Sequence, residues 1–124
     1  TREICLARGG HPHPIHIGAD GGCAEVRTAG GLLGIFHEET FPMTSLVLEP
    51  GEQLVVYSDG LEDLVLRRHE KDQGQTQFTP EFLELATKTG SQFLRGVEDH
   101  LNSMEGSLQP ADDMTVLVIE RLAE

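Results

Sequence analysis

Basic residues are scarce in this chain of 124 residues: 9 Lys and Arg stand against 21 Asp and Glu, a formal net charge of −12. So acidic a surface lacks the positive face that DNA, RNA or an anionic membrane demands, and neither nucleic acid nor membrane is expected as a partner. Long apolar runs are missing as well, since none approaches the roughly 20 residues of a membrane-spanning helix. Cysteine is limited to Cys5 and Cys23. Two cysteines make no disulfide framework, and both read as reduced core or strand positions of a cytoplasmic protein. Repeats, low-complexity tracts and interdomain linkers are absent, so one domain or part of one is expected. Absent too are a Gly-x-Ser-x-Gly elbow, a Walker loop and a dinucleotide fingerprint.

What is present, 38% hydrophobic and 24% charged residues, is the composition of a folded globular protein. Turn signals at Gly9-Gly10, Asp20-Gly21-Gly22, Gly30-Gly31, Glu49-Pro50-Gly51 and Asp59-Gly60 divide a front half of short strands. The strands expected are Arg2 to Ala7, His13 to Ile17, Cys23 to Arg27, Thr44 to Leu48 and Gln53 to Tyr57, the last apolar enough to be covered on both faces. Thr79-Pro80-Glu81 combines a side-chain cap, a proline at the first helical position and an acid in the first turn, which starts a helix from Pro80 to about Lys88. A second helix restarts at Ser91. It carries Phe93, Leu94, Val97, Leu101 and Met104 near helical spacing, with Arg95, Glu98, Asp99 and Asn102 toward water. Leu66 to Phe78 and Leu108 to Asp113 read as polar loops, and Met114 to Leu122 as a central apolar strand. The fold class is α+β, a mixed or antiparallel sheet carrying two helices.

The chemistry concentrates at two strand ends. Leu54-Val55-Val56-Tyr57-Ser58-Asp59-Gly60 is an apolar strand ending in an acid, where burial would be costly without a compensating charge, and Gly60 permits a sharp turn behind it. Read blandly, this is an Asp-Gly turn. Asp112-Asp113-Met114-Thr115-Val116 places two acids just before the last strand, which read blandly form a solvated acidic loop. If the two strands are antiparallel neighbours, Asp59 converges with Asp112, and hard oxygen donors on rigid strand ends are what Mg or Mn requires. Phosphate-ester hydrolysis suits such a pair, because two metals can position the attacking oxygen and neutralise the phosphoryl group.

Gly9-Gly10-His11-Pro12-His13-Pro14-Ile15-His16 holds three of the six histidines. The prolines exclude a helix and neither cysteine is spaced as a partner ligand, so this is a turn entering an edge strand rather than a zinc site. Gly30-Gly31-Leu32-Leu33-Gly34 reads as a tight turn.

Three of these segments, in this order, resemble the C-terminal half of the metal-dependent PPM-type (type 2C-like) serine/threonine phosphatases, in their bacterial SpoIIE-like branch. Gly9-Gly10-His11-Pro12-His13-Pro14 is similar to the branch's Ala-Gly-His-Pro-Pro segment, with Gly9 for alanine and His13 where a proline is usual. Leu48-Glu49-Pro50-Gly51-Glu52-Gln53-Leu54-Val55-Val56-Tyr57-Ser58-Asp59-Gly60 looks like its Leu-x-Pro-Gly-Asp-x-Leu-x-x-Tyr-Thr-Asp-Gly block, with Glu52 and Ser58 as departures. Asp112-Asp113-Met114-Thr115 resembles its Asp-Asp-Ile-Thr strand start. The resemblance implies an αββα sandwich with a dinuclear Mn or Mg site in the complete domain. Asp59 and Asp112 would be metal ligands, with Gly60, Asp63 and Asp113 in support. It also implies phosphomonoester hydrolysis by a metal-bound hydroxide, acting on a phosphoprotein such as an anti-sigma-factor antagonist, under an upstream regulatory or receiver domain, with homodimerisation left open.

The family's earlier, metal-bridging aspartates have no counterpart here, and Asp20 does not replace them. The chain therefore reads as the later portion of one such domain across residues 1–124. The competing expectation is a catalytically inactive phosphatase-like binding or adaptor module of a response regulator, motivated by the missing half and the −12 charge.

Overall fold

Apolar stretches set between glycine turns become strands, and every pairing among them is antiparallel. The structure, a computed structural model, describes residues 2–35, 37–38, 40–68, 76–103 and 114–122. Strand β1 (Glu3–Ala7) pairs with β4 (Met43–Val47) in a two-stranded sheet. Strands β2 (Ile15–Ile17), β3 (Cys23–Glu25), β5 (Gln53–Tyr57) and β8 (Val116–Glu120) form a second sheet in the order β3-β2-β5-β8. A ribbon pairs β6 (Leu66–Arg68) with β7 (Thr76–Phe78). The helices are α1 (Glu62–Val65), α2 (Pro80–Leu85) and α3 (Gly90–Ser103).

β5 has the bounds its sequence implies. Gln53, Leu54, Val55 and Tyr57 are all buried, so the strand is covered on both faces. Ile15, Ile17, Val55 and Tyr57 share one core with Phe82, Leu85, Phe93 and Val97, which places α2 and α3 against this sheet. Each such side chain contributes roughly 1.5–3 kcal/mol by leaving water. The rings of Phe78 and Phe82 stack at 5.8 Å, and Phe82 meets Phe93 edge-on at 6.1 Å.

The turn before β5 is dictated by its residues. Pro50 and Gly51 occupy the two central positions, Gly51 has φ +84°, and the Glu52 N–H donates to the Glu49 carbonyl at 3.0 Å. These are the features of a type II turn, whose third residue needs a positive φ. Glu52 then meets His16 Nε2 at 2.6 Å and accepts the Glu49 N–H at 3.1 Å. Gln53, fully buried, donates from Nε2 to the Lys88 carbonyl at 2.7 Å and accepts the Gly90 N–H at 3.3 Å, which ties β5 to the junction of α2 and α3. Thr79 caps α2 by accepting the Phe82 N–H at 3.1 Å, and its hydroxyl donates to the Leu64 carbonyl.

Several expectations are corrected. The second strand starts at Ile15 rather than His13, because Pro12 and Pro14 have no N–H for the ladder. β8 lies at the edge of its sheet among the described residues, not at its centre, and Leu117 and Ile119 are exposed. The stretch expected as a loop from Leu66 pairs at its two ends, since Leu66 and Phe78 pack on the core and draw the ribbon together. Residues 69–75 lie outside the described residues, as do Met104 and the loop from Leu108 to Asp113. On α3, Phe93, Val97 and Leu101 face inward while Leu94 remains exposed at the margin of the stripe. α2 is shorter than expected, closing at Leu85.

Replacing Phe93 by alanine is expected to remove about 3–5 kcal/mol of stability in urea denaturation, the usual cost of emptying an aromatic core position, whereas Leu94→Ala costs far less. A second prediction concerns pH. Burial alone would raise the Glu52 carboxyl, but the hydrogen bonds from His16 and the Glu49 N–H outweigh it and hold it below its ordinary value. Its contribution is therefore full above an unfolded pKa of about 4.3 and is lost as pH falls through the lower folded value. Thermal melts of Glu52→Gln should lie below wild type near neutral pH, with the gap closing in acid.

Candidate active-site cleft

β5 and β8 run antiparallel with Tyr57 opposite Val116, so the end of one strand lies beside the start of the other. The register continues past the strands. The Ser58 N–H donates to the Thr115 carbonyl at 2.9 Å, and the Thr115 N–H donates to Ser58 Oγ at 2.9 Å. Asp59 comes next, in a single 3₁₀ turn over Asp59–Leu61 that the Leu61 N–H closes on the Ser58 carbonyl at 3.0 Å. Its backbone is thus held by a rigid strand end while its carboxylate is exposed, which removes the burial cost that the sequence suggests. Gly60 is not among the glycines with positive φ, so the 3₁₀ turn does not draw on its left-handed freedom.

Asp59 lines a cleft of about 250 Å³ with Arg8, His11, His13, Glu25 and Glu62. Arg8, His11 and His13 come from the segment joining β1 to β2, Glu25 from the end of β3, and Glu62 from the start of α1. Oxygen anions and nitrogen groups thus meet in one depression at the β5 end. Arg8 donates from Nε to the His11 carbonyl and from Nη1 to the Thr28 carbonyl at 3.4 Å, which bridges two loops. His13 Nδ1 accepts the Thr28 N–H at 3.3 Å. Burial first, and then the Arg8 charge, push the His13 ring below its ordinary value and favour the neutral imidazole.

An adjoining, larger cleft of about 330 Å³ shares Arg8, His11 and Pro12 but is otherwise walled mostly by apolar groups, among them Leu6, Leu33 and Val56, with Thr28 as a further polar residue. Among the described residues its lining contains no carboxylate and so offers a metal ion no anionic oxygen. Asp63 is exposed and, with Gly60, Arg67 and His100, lines a third cleft that Asp59 does not share. Asp112 and Asp113 lie outside the described residues. Sequence reasoning passed over Arg8, Glu25 and Glu62; only Glu62 carried a signal, as the next acid after Asp59. Among the described residues, no group of three or more His, Cys, Asp and Glu side chains is placed to hold a metal ion. The oxygen chemistry of Asp59 is of the right kind for Mg or Mn, but the described residues supply only part of a ligand set.

His16, the third histidine of the early cluster, pairs with Glu52 away from this cleft. Cys5 and Cys23 are both free. Burial, with Asp20 adding to it, pushes the Cys23 thiol up to about 11, which makes it inert as a nucleophile at neutral pH.

The family model of stage II sporulation protein E (SpoIIE) matches residues 1–122. The chain belongs to the SpoIIE family. Among solved structures, it is similar to the RsbU and RsbW domains of Rv1364c from Mycobacterium tuberculosis, at 28% identity and a TM-score of 0.69 over 99% of this chain and 33% of that one. It is also similar to the PP2C phosphatase domain and regulatory-domain fragment of SpoIIE from Bacillus subtilis, at 18% identity and a TM-score of 0.65, covering 94% of this chain and 34% of that one. The α+β architecture is therefore that of PP2C-type phosphatase domains. Protein IcfG of Synechocystis sp. (strain ATCC 27184 / PCC 6803 / Kazusa) is 27% identical over 120 residues, 96% of this chain and 18% of IcfG. The chain thus spans about a third or less of these three proteins. No helix among the described residues is long and apolar enough to cross a membrane.

Ser58→Ala deletes the acceptor of the Thr115 N–H and is expected to cost about 1 kcal/mol. Amide exchange at Thr115 should accelerate in that variant, while Ser58→Thr, which restores the hydroxyl, retains wild-type protection.

Proposed function

We propose that this chain is the later portion of a metal-dependent protein serine/threonine phosphatase domain of bacterial signalling, acting on a phosphoprotein such as an anti-sigma-factor antagonist. The observation that carries the reading is Asp59 at the end of β5, opening onto a cleft walled by the residue 8–13 segment, in a chain of the SpoIIE family. Exposed apolar side chains support the partial domain: Leu117 and Ile119 on β8, and Met43 and Val47 on β4, leave sheet faces that a complete sandwich would cover. Asp59 with Asp112 would hold the Mn or Mg, supported by Gly60, Asp63 and Asp113. A bound divalent cation supplies charge neutralisation for the phosphoryl group. Asp59 contributes a donor whose position the Ser58–Thr115 bonds fix, and the neighbouring segment contributes the groups that face the ester.

A second reading is a phosphatase-like binding module without catalysis. It is favoured by the net charge of −12, which suits a basic protein partner as well as it suits a cation.

The full-length protein separates the two. Mn- or Mg-dependent phosphate release from a phosphoserine peptide is expected, and Asp59→Asn should lower kcat/KM by roughly 100-fold or more, at or beyond the loss usual for residues that orient metal ligands. Wild-type turnover that survives Asp59→Asn removes Asp59 from the metal site, and a folded full-length protein without turnover supports the binding module.

A further inference from the structure

The Asp59 cleft is rich in carboxylates, with Asp59, Glu62 and Glu25 all lining it, and a phosphate monoester entering it carries further negative charge. Arg8 is the one permanently cationic side chain among the described lining residues. Its position is held twice over. The guanidinium donates from Nε to the His11 carbonyl and from Nη1 to the Thr28 carbonyl at 3.4 Å. The backbone is clamped from behind, since a Cβ on Gly30 would come within 2.0 Å of the Arg8 carbonyl oxygen and only glycine fits there.

Carbonyls orient a guanidinium without cancelling its charge. Among the described residues these carbonyls engage two of its five N–H donors, and the planar fork keeps the rest in a fixed direction, so little entropy is lost when they meet an anion. His13, beside it, is shifted toward the neutral form and does not duplicate the cation.

We propose that Arg8 is a substrate-binding residue of this cleft, donating to the phosphoryl oxygens of a phosphomonoester. This rests on the phosphatase reading for the identity of the substrate, but anion binding by Arg8 can be measured separately.

The test uses the full-length protein, its Arg8→Gln and Arg8→Lys variants, and inorganic phosphate as probe in the presence of Mn. Calorimetry should give phosphate binding by wild type, weakened about tenfold or more in Arg8→Gln, as expected for loss of a charge-assisted contact. Arg8→Lys, which keeps the charge and loses the fork, should fall between them. On the phosphopeptide, KM should rise with the phosphate Kd while kcat changes less. If the loops merely need Arg8 as a brace, Arg8→Gln lowers the melting temperature but leaves phosphate Kd and KM of the folded protein unchanged, and the proposal is overturned. It is overturned equally if wild type binds no phosphate. Wild type that binds phosphate through Arg8 yet shows no turnover sustains the proposal while the phosphatase reading fails; turnover that needs Asp59 but ignores Arg8 does the reverse.

Discussion

Burial of β5 on both faces is the constraint on which the rest of the structure depends. All five residues from Gln53 to Tyr57 pair with β8, the first three of them also pair with β2 on the other side, and four of the five are nearly inaccessible to water. Apolar side chains on one face meet Phe82, Phe93 and Val97, so the helices are positioned by this strand rather than by their own propensity. Because the strand is rigid, the residues just past Tyr57 inherit its position. Ser58 and Asp59 are those residues.

Polar ties then convert that rigidity into a site. Gln53 is a polar group in the middle of the core, and its amide is satisfied at both ends by the Lys88 carbonyl and the Gly90 N–H. A buried amide left unpaired would cost more than such a bond contributes, so the pairing specifies where α3 begins. At the other end of β5, the reciprocal bonds of Ser58 and Thr115 hold the two strand ends together. Arg8 plays a corresponding part in the β1–β2 segment of the cleft wall by gathering the carbonyls of His11 and Thr28. The cleft is thus framed in part by hydrogen bonds between segments far apart in sequence, and its described lining mixes one guanidinium, two imidazoles and three carboxylates.

Much of this was legible in the residues. The bounds of β5, the turn at Glu49-Pro50-Gly51-Glu52 and the start of α2 at Pro80 emerge where the sequence puts them. Each rests on a local restriction: the fixed φ of proline, the positive φ of Gly51 and the hydroxyl cap of Thr79. The ribbon of β6 and β7 was not legible. Its strands are three residues long, and their pairing depends on Leu66 and Phe78 meeting a core that local patterning cannot see. The edge position of β8 escaped for a similar reason, since an apolar strand reads as central whatever lies beside it.

The candidate site divides along the same line. Sequence by itself determined that Asp59 ends an apolar strand and that the chain belongs with the SpoIIE family, because both are carried by the order of residues along the chain. Only the tertiary structure decided that Arg8, His13, Glu25 and Glu62 share a cleft with Asp59 while Asp63 turns into another. Those neighbours come from the β1–β2 segment, β3 and α1, and they converge through strand register and inter-loop hydrogen bonds. The free energy of such contacts belongs to pairs of distant segments, and no window of sequence contains it.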